Sequence, residues 1–319
     1  MTVSLEQLRQ ADCLFSADRV PHDPQMTAFK REARYRQHLW AKSQGITQFG
    51  THANTPAGVA AGGPERIPNG TKLTDTDAES GANFLSPKIW DVVQKRIAEP
   101  QPLQTLDPDR LRRDLLSSMP MAFNLFGEAT ANPEARLALA QLFAPDVTLD
   151  PAHVDIVFEW SPQRRSPMYT RDRTAFDVAI GIGDGPQTVV GIETKYHEDA
   201  KLDREASPEQ QELLIGIAES SGAFKPGWQD KVLATPLRQV WRDHLLALSM
   251  RNHPNLWASA TRYVLIYPAG NCSYATVAAE YQAVLASSES FRALTLEQIV
   301  DSAFAHDKHL AERFKSRYL

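Results

Sequence analysis

Cysteine is scarce in this sequence of 319 residues. Cys13 and Cys272 are the two cysteines, and they stand too far apart to form a CxxC pair. Two such residues do not make a disulfide framework, and a zinc site built on thiolates needs closely spaced ligands. The sequence therefore excludes a disulfide-stapled fold and zinc ligation by cysteine.

Long apolar runs are also missing. No stretch of about 18 apolar residues is present, which is roughly the length a membrane-spanning helix needs. Residues 1–12 lack the basic start and following apolar stretch of a secretion signal. We therefore expect no membrane span, no secretion signal and a cytoplasmic location.

The sequence also lacks a surplus of positive charge. The formal net charge is −5 and the pI is near 6.0, which argues against a protein that coats nucleic acid along its whole surface. A protein that acts on nucleic acid locally needs cations only along the path of the phosphates. The hydrophobic fraction of 42% is ample for a sizeable core.

Two strand-like segments stand out near the middle of the chain. Residues 174–182 and 188–196 are rich in Val, Ile, Thr and aromatic residues, which favour strands. The residues between them favour a turn: Gly183, Asp184, Gly185 and Pro186. The pattern predicts a β-hairpin.

Alternation along this hairpin sorts its side chains between two faces. It predicts that Asp177, Glu193 and Lys195 point the same way. The small residues predicted beside them, which would leave room for a ligand, are Ala175, Ala179 and Gly191. The opposite face of the first strand would carry Phe176, Val178 and Ile180.

Two converging carboxylates repel each other unless a cation lies between them, and oxygen ligands suit Mg²⁺ or Mn²⁺. A lysine beside such a site can orient a water molecule or neutralise charge on a phosphate. The constellation therefore indicates phosphodiester hydrolysis. The alternative is a surface strand whose Glu and Lys residues face water.

The residues carry a resemblance to a known family. Asp177, followed after fifteen residues by Glu193, Thr194 and Lys195, resembles the motif of the PD-(D/E)XK nuclease superfamily. Further segments resemble a restriction-endonuclease-like branch of it: 119–128, 154–162, 172–178 and 192–198. Phe176 stands where the motif has proline, a position that varies widely among such enzymes.

The resemblance, which extends roughly over 83–268, implies an α/β fold. Its restriction-endonuclease-like core would be a mixed central β-sheet flanked by helices. We expect three regions: an N-terminal helical and irregular Gly/Pro-rich region at 1–82, the nuclease-like core at 83–270, and a C-terminal helical extension at 271–319.

The resemblance also implies a Mg²⁺-dependent endonuclease acting on nucleic acid, with DNA as the expected substrate and restriction or defence as its role. Asp177, Glu193 and Lys195 would be catalytic. Asp177, Glu193 and the main-chain carbonyl of Thr194 would hold Mg²⁺, for which Mn²⁺ would substitute. A homodimer is compatible with this. The alternatives are a nucleic-acid-binding module of the same fold that does not cleave, and a metal-dependent hydrolase of small phosphates.

Members of the superfamily often place one more acid at the metal, and three residues are candidates. Glu128 and Glu134 precede the first core strand, although the helix dipole also explains Glu134 in a first helical turn. Glu159 is predicted to share a face with Asp155 and Val157 on strand 154–160, where pairing with an arginine or lysine is the alternative.

Candidate substrate-binding residues lie on either side of the hairpin. The loop before it carries four arginines suited to phosphate contacts, Arg164, Arg165, Arg171 and Arg173. Helix 236–250 places Gln239 and Arg242 one turn apart, and the resemblance implies that such a helix lines the cleft. The alternative for the arginines is soluble surface.

The remaining signals concern local structure. Residues 26–44 predict a basic amphipathic helix that lies against DNA or packs on the core through Phe29, Ala33 and Trp40. Glycine and proline make 45–81 an irregular segment, expected to be mobile until bound.

Capping pairs predict three more helix starts: Ser86 before Pro87, Asp107 before Pro108, and Asn132 before Pro133. Residues 262–268 predict a buried strand, and the chain after it is expected to be helical.

Overall fold

The computed structural model describes residues 3–13, 24–147, 150–183, 187–251 and 258–319. The helices are α1 (Leu5–Gln10), α2 (Pro24–Ser43), α3 (Pro56–Ala60), α4 (Asp75–Glu79), α5 (Pro87–Ala98), α6 (Pro108–Arg113), α7 (Ser118–Phe126), α8 (Pro133–Phe143), α9 (Pro208–Ser221), α10 (Trp228–Val232), α11 (Leu237–Arg251), α12 (Cys272–Val284), α13 (Leu296–Ala303) and α14 (Lys308–Tyr318). The strands are β1 (Thr51–Ala53), β2 (Arg66–Pro68), β3 (Val154–Trp160), β4 (Phe176–Ile182), β5 (Gln187–Thr194), β6 (Ala258–Tyr267) and β7 (Phe291–Thr295).

Five strands of the described chain form the central sheet, in the order β3-β4-β5-β6-β7. The β3–β4 and β4–β5 pairs are antiparallel, whereas β5–β6 and β6–β7 are parallel. The predicted hairpin and the predicted mixed sheet flanked by helices are confirmed. Asp184, Gly185 and Pro186 of the predicted turn lie outside the described residues.

The predicted capping pairs begin helices as expected. The side chains of Ser86, Asp107 and Asn132 accept hydrogen bonds from backbone N–H groups in the first turns of α5, α6 and α8. Each cap is followed by a proline that lacks an N–H, so the first turn leaves fewer donors unsatisfied.

Two apolar layers cover the sheet. One core joins the sheet to α5, α7, α8, α13 and α14 through residues such as Val178, Ile180 and Ile192. The second joins it to α9, α11 and α12 and includes Ala179, Val189 and Tyr263. The end of β5 that carries Glu193 therefore lies between two layers of helices.

Two segments differ from the sequence-based expectation. The segment 45–81 contains α3, α4 and the β1–β2 pair, and its Ile46 and Leu73 are buried in the first core. The region 271–319 is mostly helical, as expected, but it also contributes β7, which pairs with β6 at the sheet edge. Its short Phe291–Thr295 run was missed because five residues carry little periodic signal.

Helix α2 packs on the body of the protein. Its buried residues include Ala33, Arg34, Gln37 and Trp40, and Gln37 donates a hydrogen bond to the Arg317 carbonyl of α14 at 2.9 Å. The core-packing alternative therefore describes this face of the helix.

Candidate active site

Strand register brings Asp177 and Glu193 to the same level of the sheet. The last antiparallel pair between β4 and β5 is Val178 with Ile192. Continuing this register by one residue sets Asp177 opposite Glu193. The predicted pairing of the two acids on neighbouring strands thus follows directly from the fold.

Thr194, which lies between Glu193 and Lys195 in the motif, holds the Asp177 carboxylate in place. Its Oδ2 accepts hydrogen bonds from the Thr194 backbone N at 2.8 Å and from Thr194 Oγ1 at 2.6 Å. Burial raises the pKa of Asp177, and Lys195 and the Thr194 donors oppose that rise. The carboxylate is therefore oriented but poorly compensated in charge.

Glu193 and Lys195 form a close ion pair. Lys195 Nζ lies 2.6 Å from Glu193 Oε1, and the two side chains are only 11% and 12% exposed. Nζ also lies 5.6 Å from the centroid of the Tyr274 ring on α12. Alternation along β5 turns both side chains toward the helices α11 and α12.

The pKa values of both residues are raised, which favours a neutral Glu193 and a charged Lys195. Burial, followed by Asp177, raises the pKa of Glu193 well above its usual range. Burial alone lowers the pKa of Lys195, but Glu193, Tyr274 and Asp177 outweigh it and hold that pKa well above its usual range. The 2.6 Å contact favours the charged pair, because short hydrogen bonds of this kind are charge-assisted. Lys195 is protonated in either case.

Two further acids surround the motif. Glu159 lies between the register pairs Phe158–Val178 and Trp160–Phe176 that flank Asp177. Burial, followed by Asp177, raises the pKa of Glu159 to about 7. Asp243 on α11 is buried and accepts a hydrogen bond from the Tyr263 hydroxyl at 3.3 Å. Burial raises the pKa of Asp243 to about 7, although Lys195 opposes the shift.

The donor set fits a divalent cation. Asp177 and Glu193 offer hard oxygen ligands, and burial raises the pKa of both carboxyl groups, a shift that a bound cation would oppose. Among the described residues, no group of three or more His, Cys, Asp or Glu is close enough to form a metal site by itself. A cation here would therefore rely on the two motif carboxylates together with a main-chain oxygen.

The structure separates the three candidate additional acids. Glu159 lies next to Asp177, whereas Glu128 is engaged by the Ser86 hydroxyl at the start of α5. Lys88 Nζ lies 3.7 Å from Glu128. Glu134 is exposed in the first turn of α8, where the helix dipole favours an acid. Glu128 and Glu134 are thus not brought to the motif.

Glu159 reaches its position through an irregular backbone. Its φ is +50°, a left-handed conformation that is unusual in a strand. As a result Phe158 packs in the first core while Trp160 contacts the second, although strict alternation would place both on the face opposite Asp155, Val157 and Glu159. Alternation assumes regular extended φ and ψ, which Glu159 does not have.

The space predicted beside the small residues is partly filled. Phe176 packs in the second core and not with Val178 and Ile180, so its predicted face is wrong. A Cβ atom at Gly191 would lie 2.4 Å from the Phe176 ring. Gly191 therefore admits an aromatic ring where the sequence predicts room for a ligand.

The loop arginines divide into two groups. Arg164 is half-buried and donates hydrogen bonds to the Glu159 carbonyl at 2.8 Å and to Gln101 at 3.1 Å. It supports the irregular end of β3 and is not free for phosphate. Arg165, Arg171 and Arg173 are exposed.

The two candidates on α11 have different surroundings. Arg242 contacts Asp172 at 2.6 Å and Asp203 at 2.5 Å. The Tyr274 hydroxyl donates to Gln239 Oε1 at 3.5 Å. Because the Tyr274 ring also lies beside Lys195, Tyr274 separates Gln239 from Lys195.

Sequence reasoning did not anticipate Asp243, Tyr274 or Glu198 near the motif. Asp243 lies one helical turn after Gln239, and this i, i+4 spacing was the available signal. Glu198 accepts hydrogen bonds from Ser118 Oγ at 3.0 Å and from the Tyr196 N–H at 2.7 Å. Although burial opposes it, His197 and Lys195 lower the pKa of Glu198, which makes it a stable negative charge behind Lys195.

Comparison with known families agrees with this geometry. The family model described as the PD-(D/E)XK nuclease superfamily matches residues 21–319. The chain therefore belongs to the PD-(D/E)XK nuclease superfamily. No curated protein and no solved structure matches it. Within the described residues, none of the helices is long and apolar enough to cross a membrane.

Proposed function

We propose that this protein is a Mg²⁺-dependent endonuclease that hydrolyses phosphodiester bonds in DNA, and that Mn²⁺ substitutes for Mg²⁺. The observation that supports it best is the placement of Asp177 opposite Glu193, with Lys195 bound to Glu193 at 2.6 Å. The family makes nucleic acid the expected substrate.

Asp177, Glu193 and the Thr194 carbonyl would hold the cation. Bound there, Mg²⁺ supplies Lewis-acid polarisation of a phosphate oxygen. Thr194 orients Asp177 through its N–H and hydroxyl groups. Removing either carboxylate therefore removes a ligand and relieves part of the buried negative charge.

Lys195 acts in this proposal as a charged donor. A protonated ammonium cannot accept a proton, so Lys195 is not the general base in this state. It has three N–H donors, one of which is directed to Glu193. Another is available to orient the attacking water or to stabilise negative charge developing on the phosphate.

The test is cleavage of DNA by wild-type protein and by Lys195→Ala. We expect the variant to lose about 10²- to 10³-fold in cleavage rate, the usual effect of removing one donor that stabilises transition-state charge. Its melting temperature should change little, because the buried Glu193 can take up a proton. Lys95→Ala is the control, since Lys95 is an exposed lysine on α5. Full cleavage by Lys195→Ala would contradict the proposed mechanism.

The choice of substrate separates the alternatives. Closed circular plasmid, linear duplex, single-stranded DNA and RNA are each incubated with Mg²⁺, Mn²⁺ or EDTA. An endonuclease cuts the closed circle, which has no end, and EDTA abolishes cutting. Binding without cleavage would favour a non-cleaving module, and hydrolysis of small phosphate esters alone would favour a phosphatase-like activity.

A further inference from the structure

A cavity of about 780 Å³ beside α11 is rich in arginine. We call it the arginine cavity. Its arginines come from the loop before β4, from the segment before α9 and from α11: Arg165, Arg171, Arg173, Arg204 and Arg242. No chemistry at Asp177 or Glu193 explains why so many guanidinium groups line one cavity.

These arginines are poorly neutralised by the protein. The acids lining the cavity are Asp172 and Glu205, and Asp203 also pairs with Arg242, so five arginines meet three carboxylates in a chain of formal charge −5. Asp172 is already engaged by Arg242. The four other arginines are exposed and have no carboxylate within ion-pair distance in the described structure. A bound anionic ligand would neutralise these four guanidinium groups.

The backbone of the loop is held in an unusual shape. Arg165 and Arg171 have φ values of +60° and +57°, in the left-handed region that non-glycine residues seldom adopt. Hydrogen bonds within the loop maintain it: the Arg165 N–H donates to the Asp172 carbonyl at 2.5 Å, and the Arg171 N–H to the Ser166 carbonyl at 3.1 Å. Strained residues of this kind cluster where a ligand is bound.

Helix α9 begins at the same cavity. Ser207 caps its N-terminus, and the Gln210 amide donates to Asp172 Oδ2 at 3.1 Å and to the Thr170 carbonyl at 3.2 Å. The positive end of the helix dipole therefore adds to the arginine charge. Gln210 also ties the helix to the arginine loop.

The cavity lies close to the candidate active site. Asp172 precedes Asp177 by five residues, which span at most about 18 Å even when fully extended. Phosphates on one strand repeat about every 3.4 Å along a duplex axis. A strand at Asp177 would thus reach the cavity within about five nucleotides.

We infer that the arginine cavity binds a phosphate group of the nucleic-acid strand that is cleaved at Asp177 and Glu193, an assignment that rests on the proposed function. Several guanidinium groups suit a tetrahedral, multiply charged oxyanion, because each presents paired donors to two oxygens. The group comes either from the backbone of the strand or from its phosphorylated end. Compared with the loop arginines predicted from the sequence, the arginine cavity lacks Arg164 and includes Arg204.

The test measures binding in EDTA, where cleavage does not interfere. The ligands are fluorescent single-stranded DNA oligonucleotides of one sequence with a 5′-phosphate, a 3′-phosphate or hydroxyl ends. The cavity variant is Arg171→Gln with Arg204→Gln, since neither side chain supports the fold through a hydrogen bond. The control is Lys95→Gln with Lys308→Gln, two exposed lysines elsewhere that give the same change in charge and, in the described part of the chain, make no side-chain hydrogen bond.

We expect the cavity variant to bind at least tenfold more weakly than the control variant. The slope of log Kd plotted against log salt concentration should fall by about 1.4, because each phosphate contact on a single strand contributes about 0.7 and two arginines are removed. Equal losses for all three oligonucleotides identify backbone phosphate, and a loss confined to one phosphorylated end identifies a terminal phosphate. Affinity and salt slope equal to those of the control overturn the assignment.

The outcome is separable from that of the proposed function. If wild-type protein binds DNA through the cavity but does not cleave it with Mg²⁺ or Mn²⁺, the nuclease proposal fails and the cavity stands. If wild-type protein cleaves DNA and the cavity variant binds like the control, the nuclease proposal stands and the cavity assignment fails.

Discussion

Arg317 and the acids around Lys195 are both buried charges, but the protein treats them differently. Arg317 is fully buried, and its three guanidinium nitrogens donate to Gln37 Oε1 at 2.9 Å, to the Asn83 carbonyl at 2.6 Å and to Asn83 Oδ1 at 2.5 Å. Its Cζ lies 3.9 Å from the centroid of the Trp40 ring. Neutral dipoles and an aromatic face thus satisfy this cation.

Asp243 and Glu159, two acids of the candidate site, have no such set of partners. Among the described residues, the Asp243 carboxyl accepts one hydrogen bond, from the Tyr263 hydroxyl, and the Glu159 carboxyl accepts one, from the Thr105 hydroxyl at 3.3 Å. Burial raises the pKa of both to about 7. A buried charge with few hydrogen-bond donors is costly. Such a group is ionised more readily when a bound ligand supplies the missing opposite charge. Arg317 is thus a buried charge that the fold satisfies, whereas Asp243 and Glu159 are buried acids with few donors.

Arg317→Met tests the structural side of the comparison and should have the largest effect. Its three acceptors would stay buried without donors, and we expect the free energy of unfolding to fall by about 3–5 kcal/mol. Urea denaturation measures it. Lys308→Met on the same helix is the control, because Lys308 is exposed. A loss below about 1 kcal/mol would show that the network is dispensable.

Asp177→Asn tests the functional side. Asparagine can still accept the Thr194 hydrogen bonds while one buried charge is removed, so in EDTA the variant should melt at the wild-type temperature or higher. Mn²⁺ should stabilise wild-type protein by about 2.7 kcal/mol at a hundredfold excess over its Kd. In the variant this gain should shrink or vanish.

Asp155→Asn, an exposed acid on β3, is the control and should respond to Mn²⁺ like wild type. Strong destabilisation of Asp177→Asn in EDTA, with the full Mn²⁺-dependent rise retained, would identify Asp177 as a structural residue and remove it from the metal site.

The pH dependence of metal-free stability is the smallest predicted effect. The folded pKa of Asp243, about 7, exceeds the ordinary value of 3.8, so the native state holds the proton more tightly than the unfolded state. The stabilisation of the native state by this proton is fully present below pH 3.8 and is lost as pH rises through 7. Glu159 acts in the same direction.

His244 acts in the opposite direction, but over a lower range. Burial lowers its pKa from 6.5 to about 3, so its contribution is present above pH 6.5 and lost below it. Above pH 6.5 the two acids dominate. We expect Asp243 to contribute a fall of about 1 kcal/mol in the free energy of unfolding between about pH 6.5 and pH 8 in EDTA.

Asp243→Asn should make this slope shallower, and Asp230→Asn, an exposed acid on α10, should leave it unchanged. Denaturant unfolding at several pH values measures both. An identical slope in Asp243→Asn and wild type would mean that Asp243 is ionised throughout.

The sequence alone determined the elements whose signals are local. The helix starts at Ser86, Asp107 and Asn132 were predictable because capping depends on a few neighbouring atoms. The pairing of Asp177 with Glu193 followed from strand alternation and a short turn.

Tertiary structure decided the rest of the site. Asp243 and Tyr274 come from helices α11 and α12, more than forty residues after Lys195, and only packing on the sheet brings them to it. Glu159 departs from alternation through its positive φ, and Phe176 packs in the second core, where its ring fills the space beside Gly191. Local patterns specify which residues can carry the chemistry, whereas burial and neighbouring charges from distant segments set their pKa values.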